Sequence, residues 1–546
     1  MALLELKDLS IEYATPGETP FKAVNDINIS LEKGEFVGLV GESGSGKSTL
    51  GFAITMLQKP PVRIGKGQIL FDGTDIAHLS EEELREQRSG GFAMVLQSGM
   101  NALNPVRTIE KHFDDIYEAH KHVVKADWYK HSLELISKVG LPEKTLKSYP
   151  GELSGGMRQR VSIALALSLN PRLMVFDEPT TALDVMVQHE VMDTIRSLQK
   201  SEGFTAILIS HDLGIVLEST SRVLVMHNGS IVEDASAFDI SHNAQADYTK
   251  MLLSHYGDPR GEEVHIPGLE RGAARRAVTA EEVAAGTITV SDISKIYPHR
   301  KRGEKDVTAT SHVSFSLKPG ESLGLVGASG SGKSTIAKMI TGVERPSQGA
   351  ISLGDRRIDK MKSSRELRAL RSDIQMVFQD PYAALNPLHT VEYVIMRPIL
   401  NYTSLRGQAI TDRIHELLEF VGLTPVETFK NKLPHQLSGG QRQRVVIARA
   451  LASNPKIIIA DEPVSMLDMT LRAGILALLD SLRVEFNVSM LYITHDLLSA
   501  RLITDKIMVL HDGIVVESGV TADVLRYPKD DYTIKLLNSI PKLPEQ

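Results

Sequence analysis

The strongest constraint on this chain is that it says nearly everything twice. GESGSGKST at 41–49 returns as GASGSGKST at 327–335, LSGGMRQRV at 153–161 as LSGGQRQRV at 437–445, and VFDEP at 175–179 as IADEP at 459–463. ISHDL (209–213) and DYTKMLL (247–253) return as ITHDL (493–497) and DYTIKLL (531–537). Leu153 and Leu437, Asp177 and Asp461, His211 and His495, and Tyr248 and Tyr532 each stand 284 residues apart. The separation is 286 for Lys47 and Lys333 and 282 for Gln97 and Gln379. An offset that drifts by so little along half of a 546-residue chain marks a duplicated domain, not a short-period solenoid. The expectation is two homologous domains, 1–256 and 287–546. Between them GDPRGEEVHIPGLERGAARRAVTAEEVAAG (257–286) has Gly, Pro, mixed charge and weak apolar periodicity. It reads as a linker with a short helix in RRAVTAEEVAA, because so short a stretch buries little core of its own.

Each glycine-rich loop has the form G-x-x-x-x-G-K-S. A buried-strand pattern precedes it (EFVGLV, ESLGLV) and a helical one follows (STLGFAITML, STIAKMI). That context makes the motif a phosphate cradle. Gly41, Ser43, Gly44 and Gly46, with Gly327, Ser329, Gly330 and Gly332, turn backbone N–H groups toward phosphate oxygens, and the helix N-terminus that follows, with Thr49 or Thr335 in its first turn as a further nucleotide contact, adds its positive dipole end. Lys47 and Lys333 are placed for the β and γ phosphates of ATP, Ser48 and Ser334 for Mg²⁺.

RLMVFDEP (172–179) and KIIIADEP (456–463) run four apolar residues into two carboxylates. A continuous apolar strand is buried on both faces, so the carboxylates fall at its carboxyl end, where open α/β sheets bind ligands. Asp177 and Asp461 are expected to reach Mg²⁺, directly or through water, and Glu178 and Glu462 to polarise an attacking water. TAILISHD (205–212) and SMLYITHD (489–496) place His211 and His495 at the next strand ends, as γ-phosphate contacts.

Composition narrows the classes. A net charge of −7 carries no basic excess of the kind nucleic-acid binders show, so no nucleic-acid partner is expected. Zero cysteines remove thiolate zinc sites, iron–sulfur clusters, disulfides and a cysteine nucleophile. MALLELKDLSIEY alternates like a strand and lacks the basic-then-apolar order of a signal peptide. No apolar run approaches a membrane span, so the chain reads as soluble and cytoplasmic.

LSGG opens a helix with a capping hydroxyl and two bare glycines, a second anion site with no lysine of its own. With these motifs the chain resembles the ATP-binding cassette ATPases along nearly everything outside 257–286. The resemblance implies an α/β fold of two tandem P-loop NTPase domains, each with a RecA-like α/β core, an antiparallel β subdomain and a helical subdomain. It implies a head-to-tail pairing of the two domains within the chain. Lys47, Asp177, Glu178 and His211 would then work with Ser438, Gly439, Gly440 and Gln441, and Lys333, Asp461, Glu462 and His495 with Ser154, Gly155 and Gly156. Tyr13 and Tyr297 match the aromatic that stacks on adenine. Gln97 and Gln379 match the glutamine that senses Mg²⁺ and faces a membrane partner, and Asp184 and Asp468 match a loop that communicates across the pair. Met157 stands where the signature has Gln.

Three classes share this architecture: transporter ATPases, ribosome-acting tandem cassettes and DNA-repair cassettes. The absent cysteines and the short, Gly- and Pro-interrupted linker favour the first. NALNPVRTI (101–109) and AALNPLHTV (383–391), with the DYT tails, resemble the oligopeptide, dipeptide and nickel importer family. That resemblance implies two separate transmembrane permease subunits, an extracytoplasmic substrate-binding protein, and a peripheral position on the cytoplasmic face of the inner membrane.

Overall fold

The computed structural model describes residues 2–14, 19–88, 90–97, 102–120, 124–181, 183–261, 279–298, 306–465 and 467–544. The chain divides into two compact units, Met1–Tyr256 with Ile540–Gln546, and Gly257–Ser539. Of the segment read as a linker, 262–278 lies outside the described residues. The helix there spans Ala280–Gly286, started by a capping box in which Thr279 accepts from the Glu282 N–H and Glu282 accepts from the Thr279 N–H.

The first unit runs β1 (Ala2–Tyr13), β2 (Phe21–Glu32), β3 (Phe36–Val40), β4 (Val62–Phe71), β5 (Thr74–Asp75), β6 (Phe92–Val95), β7 (Leu173–Asp177), β8 (Thr205–Ser210), β9 (Arg222–His227) and β10 (Ser230–Ser236). Strands β2-β1-β4-β5 form an antiparallel sheet, and β10-β9-β3-β8-β7-β6 a second sheet that is parallel except at β10. The apolar runs FVGLV, LMVFD and TAILIS are buried at every position, as strands covered on both faces must be. The helix Lys47–Ile54 is the wedge between the sheets. Its Leu50, Ala53 and Ile54 pack with Leu4 and Ile11 on one side and Leu39, Val175 and Ile209 on the other. Each such leucine, isoleucine or valine contributes about 1.5–3 kcal/mol by leaving water, which fixes the start of this helix against the sheet.

Register does the rest. Val40 lies opposite Ser210 and Asp177 opposite Ile209, so β3, β8 and β7 end along one edge. Between β6 and β7 the helices Ile109–His120 and Trp128–Lys138 pack on one another and on Gly155–Leu167. Of the apolar positions of HSLELISKVGL, Leu135, Ile136, Val139 and Leu141 are buried core there, while Leu133 is half-buried.

The second unit repeats the plan with β11 (Ile288–Tyr297), β12 (Val307–Leu317), β13 (Ser322–Val326), β14 (Gln348–Leu353), β15 (Arg356–Arg357), β16 (Ile374–Val377), β17 (Ile457–Asp461), β18 (Ser489–Thr494), β19 (Lys506–His511) and β20 (Ile514–Val520). Its sheets are β12-β11-β14-β15 and β16-β17-β18-β13-β19-β20, the order of the first unit. The helices Val391–Tyr402 and Gln408–Phe420 pack on Gly439–Leu451. Among the described residues no helix is long and apolar enough to cross a membrane.

Candidate functional site

The loop after β3 is shaped by what its glycines must avoid. A Cβ on Gly41 would lie 2.1 Å from Met226 O, and one on Gly46, at φ +103°, would lie 2.5 Å from Ala23 O. Gly327 and Gly332 meet Leu510 O and Ala309 O in the same way, at 2.1 and 2.3 Å. No side chain fits at these positions, so the loop sits directly on neighbouring backbone. Lys47 and Lys333 are only 4 and 5% exposed. Lys47 Nζ donates to Gly41 O (2.8 Å), Glu42 O (2.7 Å) and Ser45 Oγ (3.3 Å), and Lys333 Nζ donates to Gly327 O and Ala328 O, both at 2.8 Å. Each ammonium is thus held inside its own loop, a concentrated positive charge beside a helix N-terminus.

The acidic side of the site comes from β7 and β8. Ser48 Oγ donates to Asp177 Oδ1 at 2.9 Å. Glu178 has φ +47°, uncommon for a residue with a Cβ, and its N–H donates to Ile209 O at 2.9 Å. This turn at the strand end parts two adjacent carboxylates. Asp177 faces the loop, while Glu178 accepts from Gln97 Nε2 (2.6 Å) and Thr181 Oγ1 (2.9 Å) and pairs with His211 Nδ1 (3.2 Å). Burial pushes the Asp177 carboxyl up to about 6, against the pull of its Ser48 hydrogen bond. Burial acts in the same direction on Glu178 but is outweighed by the hydrogen bond and charge of His211, the Thr181 hydroxyl and Lys47, so Glu178 lies below the ordinary carboxylate value.

The second unit builds the same cluster. Ser334 Oγ donates to Asp461 Oδ2 (3.2 Å), Gln379 Nε2 to Glu462 Oε2 (2.8 Å), and His495 Nδ1 lies 3.2 Å from Glu462 Oε1, with Glu462 again at φ +47°. Burial raises Asp461; Glu462, half-buried, is lowered by His495 and Lys333 against the upward push of desolvation. One hydroxyl differs. Ser465, the counterpart of Thr181, donates to the Glu462 backbone carbonyl at 3.1 Å and not to its carboxylate.

Within each unit the loop, lysine, serine, aspartate, glutamate, glutamine and histidine therefore converge. Tyr13 reaches the first helical turn, its hydroxyl 3.3 Å from Thr49 Oγ1, whereas the Tyr297 hydroxyl donates to Glu344 at 2.5 Å. Within its own unit, neither Ser154 nor Ser438 joins the cluster. They cap the helices Gly155–Leu167 and Gly439–Leu451, accepting from the N–H of Met157 and Gln441, both at 3.3 Å. A Cβ on Gly156 would lie 2.3 Å from Val187 Cγ1, so this glycine is a packing requirement of the helix Val185–Glu202 as well as a bare N–H. Asp184 and Asp468 cap the helices Val185–Glu202 and Met469–Glu485. Two site neighbours escape sequence reasoning. The hydroxyls of Tyr248 and Tyr532 accept from backbone N–H groups of the loops, and only the repetition of DYT hints that these residues matter.

The ABC transporter family model matches residues 24–181 and 310–465, once in each unit and over more than half of the chain. The chain belongs to the ABC transporter family. It is an ATPase of that family, with two cassettes in tandem. The glutathione import ATP-binding protein GsiA of Pectobacterium atrosepticum is 39% identical over 99% of this chain and 89% of its own length. The peptidoglycan transport ATP-binding protein YejF of Agrobacterium fabrum is 38% identical over 98% of this chain and 96% of its own. Among solved structures, a dimeric post-hydrolysis state of the cassette MJ0796 is 36% identical over 43% of this chain and 98% of its own, with a TM-score of 0.39.

The donor set suits Mg²⁺ in both cassettes: a serine hydroxyl, one aspartate carboxylate and a glutamine amide, all hard oxygens with few charges. Among the described residues no group of three or more His, Cys, Asp or Glu forms an all-protein metal cage. Among the described residues, Ser331 Oγ, inside the second loop, is buried without a hydrogen-bond partner.

Proposed function

We propose that this chain is the ATP-hydrolysing subunit of an importer for peptides or related small solutes, with two composite ATP sites formed head to tail between its cassettes. The observation that carries the reading is the completeness of both clusters: neither cassette lacks its lysine, serine, aspartate, glutamate, glutamine or histidine. The relatives support the import class, since glutathione is a small peptide and peptidoglycan is peptide-bearing.

Lys47 and Lys333 hold the β and γ phosphates against the loop N–H groups, and Tyr13 and Tyr297 stack on adenine. Ser48, Asp177 and Gln97, and Ser334, Asp461 and Gln379, hold Mg²⁺, which when bound neutralises charge on the phosphate oxygens. Glu178 and Glu462 orient and polarise the attacking water, while His211 and His495 contact the γ-phosphate and hold the glutamates in place. Ser438, Gly439, Gly440 and Gln441 close over the nucleotide on the first loop, and Ser154, Gly155 and Gly156 over that on the second. Asp184 and Asp468 carry the state of one site to the other. ATP thus binds the closed pair better than the open one, shifting the population toward closure, and hydrolysis with product release reopens it. Two separate permease subunits take up this motion through the regions around Gln97 and Gln379, and an extracytoplasmic binding protein delivers the solute, with the chain itself peripheral on the cytoplasmic face.

Purification of the tagged chain from detergent-solubilised membranes, with mass spectrometry of stoichiometric partners, tests this reading. Two polytopic proteins are expected. Ribosomal proteins with no membrane partner would overturn the import assignment and leave the ATP sites standing.

A further inference from the structure

Tyr248 lies at the start of the helix Asp247–Ser254, and its hydroxyl accepts from the backbone N–H of Glu42 at 2.9 Å, across 206 residues of sequence. Tyr532, at the start of Asp531–Asn538, accepts from the N–H of Ala328 at 2.8 Å. Glu42 and Ala328 are the second residues of the two loops, where the chain leaves β3 and β13. Their side chains have nothing in common, so it is the backbone that is held. Each tyrosine ring is itself fixed. Tyr248 stacks on His227 with centroids 4.0 Å apart, and Tyr532 on His511 at 3.9 Å.

The helices that carry these tyrosines are anchored in the same way in both units. Glu233 of β10 accepts from the N–H groups of Gln245 (2.7 Å) and Ala246 (3.1 Å). Glu517 of β20 accepts from those of Lys529 (2.9 Å) and Asp530 (3.2 Å). The hairpin turns complete the clamp from the other side: Gly229 N–H donates to Ser45 O at 3.0 Å, and Gly513 N–H to Ser331 O at 3.1 Å. A phosphate loop binds through N–H groups that converge before the ligand arrives, so whatever fixes its backbone sets its affinity.

We propose that Tyr248 and Tyr532 are positioning residues for nucleotide: hydroxyls supplied from the last helix of each cassette hold the second residue of the phosphate loop in its binding shape. This rests on the assignment of the loops to ATP phosphates. Removing the hydroxyl while keeping the ring leaves one loop N–H without its acceptor and weakens binding without dismantling the core.

The test uses the full chain with the pair Y248F and Y532F, titrated with the fluorescent analogue TNP-ATP and then displaced by ATP, beside melting curves without nucleotide. The expected result is a Kd for ATP raised about three- to tenfold, the scale of one lost hydrogen bond, with the nucleotide-free Tm within about 2 °C of the parent. The pair K47A and K333A is the control for the underlying assignment and should abolish binding. If it binds normally, the loop assignment fails. If it loses binding while the phenylalanine pair binds as tightly as the parent, the positioning role is overturned and the assignment stands. A loss of affinity that merely tracks a fall in Tm or in folded protein also overturns it, because a structural role alone gives that.

Discussion

Asp177 and Glu178 show how far two adjacent carboxyls are driven apart by their surroundings. Asp177, buried and facing Ser48, is raised to about 6; Glu178, half-buried and paired with His211 and Gln97, is lowered. Two carboxylates with separated proton affinities suit two roles, one toward a cation and one toward water. The double variant E178Q and E462Q should bind ATP normally while steady-state hydrolysis falls about 10²–10⁴-fold, the usual worth of a general base. Ordinary turnover would remove the base roles. Both glutamates were legible because each follows a run of four apolar residues that can only be a buried strand. The Thr181 bond to Glu178 was not, since Thr181 and Ser465 look equivalent in sequence yet donate to different oxygens of the glutamate beside them. That choice is made by local packing, which the motif does not encode.

The two signature helices differ by one side chain with a defined consequence. Gln441 Oε1 accepts from the Ser438 N–H at 3.0 Å and closes a capping box, a bond the Met157 thioether has no oxygen to accept. M157Q should stabilise the first cassette by about 0.5–1 kcal/mol and Q441M destabilise the second by a similar amount, read as opposite shifts in calorimetric Tm. A second element-level device is Glu233, which pins the last helix of its cassette. Burial works to raise its carboxyl but is outweighed by the hydrogen bonds it accepts, those of the Gln245 and Ala246 N–H groups among them, so the folded value is lowered. Its stabilisation is then present in full above the unfolded value of about 4.3 and lost as pH falls through the lower folded one. E233Q should cost about 1 kcal/mol near pH 7, discounted for partial exposure, and the gap between variant and parent Tm should close below about pH 4. The strands that end in site residues were readable from their apolar runs. The β9–β10 turn and the last helix were not, because their partners in the loop lie some two hundred residues away and interact through backbone atoms that any residue carries.

At the scale of the molecule, duplication explains why one chain holds two loops. A signature helix start offers bare N–H groups without a lysine, and a loop cluster offers a lysine and carboxylates, so in the head-to-tail pairing we propose each cassette supplies halves of two different sites. In the E178Q and E462Q background, ATP retained per chain after rapid gel filtration measures the pairing directly. Head-to-tail pairing places Lys47 with Ser438, so K47A combined with S438A confines both lesions to one site and leaves the Lys333–Ser154 site to retain one ATP. K47A combined with S154A damages both sites and should retain none. The reverse outcome, one ATP in the K47A and S154A chain and none in the K47A and S438A chain, would contradict the account.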